Sequence, residues 1–218
     1  MKLLVASLAI LCLLQAIPAA GQVLYDNGPI NGNIDGWTIN FGYIVSDNFT
    51  IAHNSTMTGF AFGTRQFPGD DLISVDWSVT SGENSGTVYG SGTASGSQLT
   101  DKYVSTNEFG YYVNLITVTG LNVNLSGGTT YWLTLQNAKV PSGDPVFWDE
   151  NDGVGCGGDN GKGGGCPSQA SENTIGTIPS EDFTISGSGT GTTPEPGSFL
   201  LFASGVLGVA GVLRRKLF

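Results

Sequence analysis

Apolar residues recur at every second position along much of this chain. A period of two is the mark of a strand with one face buried and the other wetted. Residues 72–80 read Leu-Ile-Ser-Val-Asp-Trp-Ser-Val-Thr, placing Ile73, Val75, Trp77 and Val79 on one side and Ser74, Asp76, Ser78 and Thr80 on the other. The same alternation runs through Phe109, Tyr111, Val113 and Leu115, through Leu121, Val123 and Leu125, and through Tyr131, Leu133 and Leu135. Shorter runs sit at Phe49 and Ile51, Phe60 and Phe62, Val146 and Trp148, and Phe183 and Ile185, with further strands around Trp37–Phe41 and Thr87–Tyr89. Runs of helix formers are absent between the two chain ends.

Composition agrees. The 218 residues include 34 glycines, and only 12% are charged. Many short strands joined by Gly/Ser/Asn turns at roughly 8–12 residue spacing predict an all-β domain. The expected architecture is an antiparallel two-layer β-sandwich, jelly-roll-like, with about nine or ten strands. Ser126-Gly127-Gly128 predicts a hairpin turn between the strands at 121–125 and 131–135. Residues 81–100, rich in Gly and Ser, predict a hairpin with a long tip.

Charge is unevenly divided. Of the eight basic residues, Lys2, Arg214, Arg215 and Lys216 lie in the terminal segments, leaving Arg65, Lys102, Lys139 and Lys162 against every acid except Glu195. So acidic a middle repels nucleic acid and anionic lipid. No nucleic-acid partner is expected.

Both ends read as targeting segments. Residues 1–21 combine Lys2, a short apolar run, and Ala19, Ala20 and Gly21, which suit a signal peptide cut by signal peptidase after Gly21. Cys12 lies inside that run and leaves with it. At the other end, Pro194-Glu195-Pro196-Gly197-Ser198 precedes an apolar segment, 199–213, and the basic end Arg214-Arg215-Lys216. As a helix the apolar segment is about 22 Å long, short for a bilayer core of roughly 30 Å. The basic residues hold that end in the cytoplasm, which puts the middle of the chain outside. The parts are then a signal peptide (1–21), a β-sandwich domain (22–186), a Gly/Ser/Thr stalk (187–192) and a C-terminal segment with a short transmembrane helix (193–218).

Taken together, Pro194, Glu195 and Pro196, the short apolar segment and the closing Arg214 and Arg215 resemble the PEP-CTERM sorting signal of bacteria. The resemblance implies an exosortase as processing partner, a membrane-anchored precursor held through residues 199–213, and delivery to the cell surface or an exopolysaccharide matrix. The prolines keep the motif extended, as a groove that binds a strand requires. The middle resembles the domains of other such exported proteins at Leu24-Tyr25-Asp26-Asn27-Gly28-Pro29, at residues 74–79, at residues 128–137, at Trp148-Asp149-Glu150 and at Ile178-Pro179-Ser180-Glu181-Asp182-Phe183. That resemblance brings no established activity.

Candidate chemistry is sparse. Cys156 and Cys166 flank a glycine-rich loop, and outside the cytoplasm two nearby thiols are expected to pair as a disulfide. Asp149, Asn151, Asp152 and Asp159 offer oxygen ligands of the kind Ca²⁺ takes, although the spacing departs from a helix-loop-helix calcium loop. No other cofactor is expected. His53, the one histidine, has no nucleophile elbow to serve. Asp70, Asp71, Asp76 and Glu150 are the candidates for a hydrolytic carboxylate pair. Trp77 shares a face with Val75 and Val79 and belongs to the core. Trp132 is out of phase with its neighbours, so it either stacks on a sugar ring or lies under a loop. Trp148, beside Asp149 and Glu150, carries the same two readings. The leading expectation is a non-enzymatic surface or matrix protein. The alternatives are a carbohydrate-binding module using Trp132, Trp148, Asp149 and Glu150, and a secreted hydrolase.

Overall fold

The computed structural model describes residues 21–32, 35–151 and 168–189. These residues form thirteen strands and one short 3-10 turn. The strands lie in two antiparallel sheets, and neither closes on itself. In the seven-stranded sheet, β4 (Ser55–Gln66) is the spine. One edge of β4 pairs with β8 (Tyr112–Leu125), which in turn pairs with β7 (Leu99–Thr106). Its other edge is shared end to end by β13 (Phe183–Gly189) and β10 (Phe147–Asp149). β1 (Gln22–Asp26) and β2 (Gly36–Thr38) complete those two flanks. The six-stranded sheet runs β12 (Gly176–Ile178), β11 (Ala170–Glu172), β3 (Ile44–Thr50), β9 (Thr130–Lys139), β5 (Ser74–Gly82) and β6 (Ser85–Ser95). The pairings β2–β10, β3–β9, β4–β8 and β5–β6 are nested along the chain.

The core lies between the sheets. Val75, Trp77 and Val79 of β5 and Tyr131, Leu133 and Leu135 of β9 face it as the alternation requires. Phe49, Phe60, Phe62, Trp148 and Phe183 meet them with ring centroids about 6 Å apart. Each such side chain, fully buried, stabilises the fold by roughly 1.5–3 kcal/mol. Ile73 precedes β5 and is exposed.

Three expectations need correction. Ser126-Gly127-Gly128 does not close a hairpin, because β8 and β9 belong to different sheets. The turn carries the chain across the sandwich beside the similar crossing from β3 to β4. Gly128 N–H donates to Ile51 O at 2.9 Å, and Gly127 N–H donates to the Asn54 side chain at 2.9 Å. Alternation tells which face is buried but not which neighbour pairs, so a Gly turn fits a crossing as well as a hairpin.

The phase of β8 also differs. Ile116 and Val118 point inward, Leu115 is half-buried, and Val113 is covered from outside by the segment at Gly32. A bulge opposite Met57 and Gly59, with Gly120 at φ +77°, then shifts the phase. Beyond it Val123 and Leu125 are buried. Two extra residues on β8 at this bulge thus separate a stretch whose even-numbered residues face the core from one whose odd-numbered residues do. Finally, residues 81–100 form no long tip. β5 turns into β6 at Glu83-Asn84, and β6 is eleven residues long.

Candidate functional site

The sequence blocks at 24–29, 148–150 and 178–183 converge at one end of the sandwich. Backbone hydrogen bonds run from Asn27 N–H to Phe183 O, from Asp182 N–H to Asp149 O and from Asn151 N–H to Ser180 O. Among the described residues they bring five buried carboxylates, those of Asp47, Asp149, Glu150, Glu181 and Asp182, into one region with a single buried cation, Arg65. Arg65 Nε donates to Asp149 Oδ1 at 2.8 Å. Asp149 Oδ2 accepts from the backbone N–H of Asn31 and Gly32. Asp182 accepts from Gly63 N–H at 2.8 Å, an approach open because a Cβ on Gly63 would stand 2.6 Å from that carboxylate.

Asn27 is the hub. Its amide nitrogen lies within hydrogen-bond reach of Asp47 Oδ2, Ser168 Oγ, Ser180 Oγ and Glu181 O, and its Oδ1 accepts from Tyr25 OH. Asp47 Oδ2 also accepts from Glu181 N–H at 2.8 Å. Both Glu181 carboxylate oxygens and Asp47 Oδ1 have no hydrogen-bond partner among the described residues. Burial raises the Asp47 pKa to about 7. Burial first, then the charges of Asp47 and Glu150, hold Glu181 well above the ordinary carboxylate range. Asp182 is raised well above it by burial and by Asp149. Burial of this kind favours the neutral, protonated form of Asp47, Glu181 and Asp182.

This geometry reassigns several expected contact residues. Trp148 is fully buried and donates its indole N–H to Asp182 O at 2.7 Å, so it is a core residue and no platform for a sugar. Asp149 and Glu150 are buried as well, the latter accepting from Trp37 Nε1 at 3.1 Å. They are therefore not ligand contacts at the surface. Asn151 is buried and donates to Asn27 O. Among the described residues no three His, Cys, Asp or Glu side chains gather as a metal site. Asp152, Asp159, Cys156 and Cys166 lie outside the described residues. Trp132 is half-buried on the outer face of the six-stranded sheet, and the β5–β6 turn reaches across β9 to hydrogen-bond Ser46 and Ser171 through Asn84. Asp70 is buried on the Ser142 hydroxyl at 2.6 Å, and Asp71 is exposed.

Two features escaped the sequence reading. Asp47 carried a signal, since it falls in phase with the core residues Val45 and Phe49. The other is an open groove of about 700 Å³ on the outer face of the six-stranded sheet, lined by Phe41, Ile73, Asp76, Thr93, Asn137 and Lys139 among others.

The comparisons add the address. Residues 192–216 match the family model of the PEP-CTERM protein-sorting motif. The chain carries a PEP-CTERM sorting signal. The match takes in Pro194, Glu195, Pro196, Arg214 and Arg215, all outside the described residues. A PEP-CTERM signal marks an exported protein, its precursor anchored at the membrane and addressed to an exosortase. The segment 199–213 also lies outside the described residues, among which no helix is long and apolar enough to cross a membrane. No curated protein matches the chain.

Proposed function

We propose that this chain is a non-enzymatic surface or extracellular-matrix protein, delivered by its PEP-CTERM tail as a folded domain. The sorting motif at 192–216 carries the reading. In it, signal peptidase removes residues 1–21, residues 199–213 hold the precursor briefly in the membrane, and the exosortase acts at Pro194-Glu195-Pro196. The nested strand pairings support a jelly-roll domain ahead of the tail.

Two of the four carboxylates considered for hydrolysis, Asp70 and Glu150, are buried in contacts of the fold. Asp70 holds Ser142, Glu150 holds Trp37, and Asp76 accepts from Thr93 and Asn137. That favours a structural module over a hydrolase. A disulfide between Cys156 and Cys166 would close the loop of the exported form, at a gain of about 2–3 kcal/mol.

The direct test is Glu195→Ala in the native cell, followed by fractionation. Full-length precursor should accumulate in the membrane fraction. Unchanged maturation and surface delivery would reduce the tail to a plain anchor. Thiol labelling of the exported chain should find Cys156 and Cys166 blocked until reduction, and free thiols would end the disulfide claim.

A further inference from the structure

The described residues contain three non-glycine residues with a left-handed backbone: Phe41, Asn84 and Asn137. Asn84 sits at the β5–β6 turn, where Asn is a customary choice. The other two line the same groove. Phe41 is the unexpected one. It occupies the first central position of a tight turn, with Gly42 second and Tyr43 N–H closing on Asn40 O at 3.1 Å. Positive φ at both central positions calls for Asn, Asp or Gly, and a bulky aromatic there is strained. Its side chain is 65% exposed, so core packing does not hold it in place. The surroundings do. Asn40 bonds Asp144 O and Val146 N–H, and Asn173 bonds Gly42 O and Ile44 N–H. Backbone strain kept by neighbours at an exposed position points to use of that side chain.

Asn137 makes the same point from β9. Opposite β5 the register slips by one residue between Ser74 and Asp76, and Asn137 at φ +52° lies in this bulge. Bulges re-aim side chains. Here the bulge sends the Asn137 amide to Asp76 Oδ2 at 2.9 Å, while Thr93 Oγ1 donates to Asp76 Oδ1. The carboxylate is thereby fixed in orientation and keeps lone pairs for a further donor.

We propose that this groove binds a neutral polysaccharide, with Phe41 against a sugar ring face and Asp76, Asn137 and Lys139 on its hydroxyls. A flat exposed ring beside a few fixed, planar polar groups is the chemistry that recognises a sugar, apolar on its faces and hydroxylated around its rim. The charge of the domain selects the class. A surface so acidic repels an acidic glycan, and the groove lining itself carries one acid, Asp76, and one base, Lys139. The groove, about 700 Å³ and open to solvent, suits a segment of a polysaccharide laid along it more than a small molecule enclosed. The proposal rests on the matrix reading only for where the glycan would be met. Purified chain tests it without any sorting, so its failure is distinct from a failure of the Glu195→Ala experiment.

The test is affinity electrophoresis of the purified full-length chain in gels holding a soluble β-glucan, a galactomannan or alginate. A neutral polysaccharide should retard the parent, and alginate should not. Phe41→Ala and Asp76→Asn should each weaken retardation about tenfold. Phe41→Gly should weaken it as much as Phe41→Ala while melting at or above the parent temperature, since glycine suits this turn. Phe109→Ala, exposed elsewhere, should leave it unchanged. No retardation by either neutral polysaccharide, retardation by alginate alone, or full retardation of Phe41→Gly would overturn the proposal.

Discussion

At the scale of single residues, the Arg65–Asp149 pair and Asp47 decide the most. Among the described residues Arg65 is the one cation buried with five carboxylates, and removing its partner would strand it. Breaking a buried pair in this way costs about 3–5 kcal/mol. Asp149→Ala should therefore lower the unfolding free energy read from a urea titration by that amount, whereas replacing exposed Asp71 should leave it unchanged. Asp47 sets the pH dependence. Its pKa rises from an ordinary 3.8 to about 7 in the folded chain because burial penalises its charge. Glu181 and Asp182 shift the same way. The folded state thus binds more protons than the unfolded one. Stability is fully present below about pH 4 and is lost as pH rises through about 7. The slope is roughly 1.4 kcal/mol per pH unit for each proton taken up. Urea titrations from pH 4 to 8 should show a falling midpoint, and Asp47→Asn should flatten the fall. A midpoint that climbs with pH would contradict the protonated cluster.

At the scale of elements, the turn at Ser126-Gly127-Gly128 carries the clearest prediction. A Cβ on Gly127 would stand 2.7 Å from Ala52 O and from His53 Cα, both backbone of the neighbouring crossing. Gly127→Ala should cost about 1–3 kcal/mol, read as a lower melting temperature. In an isolated hairpin the same change would be mild. This turn also marks where the sequence stops being legible. Alternation correctly placed Val75, Trp77, Val79, Tyr131, Leu133 and Leu135 on the core face, because period and burial are local properties. It misjudged Ile73, which lies ahead of β5 and is exposed, and Leu115, since Ile116 and Val118 take the core face of β8. It also missed the sheet crossing, because pairing is a long-range choice. The site was legible only in pieces. The blocks at 24–29, 148–150 and 178–183 stood out in the sequence, but their common reason, one buried cluster assembled around Asn27, exists only once the chain folds. Trp148 beside Asp149 and Glu150 looked like a contact surface for want of that information.

At the scale of the whole molecule, the parts divide the labour. A sandwich closed at one end by a protonatable cluster presents a polar groove on its outer sheet. A tail matching the PEP-CTERM motif supplies the address. Neither half predicts the other, since a sandwich fold hosts many activities. Sorting is the central claim, and intact-mass spectrometry of the surface-exposed chain tests it most directly. The account predicts a chain that begins at Gln22 and lacks the apolar segment 199–213 with its basic end. A surface form that retains the chain through Phe218 would contradict it.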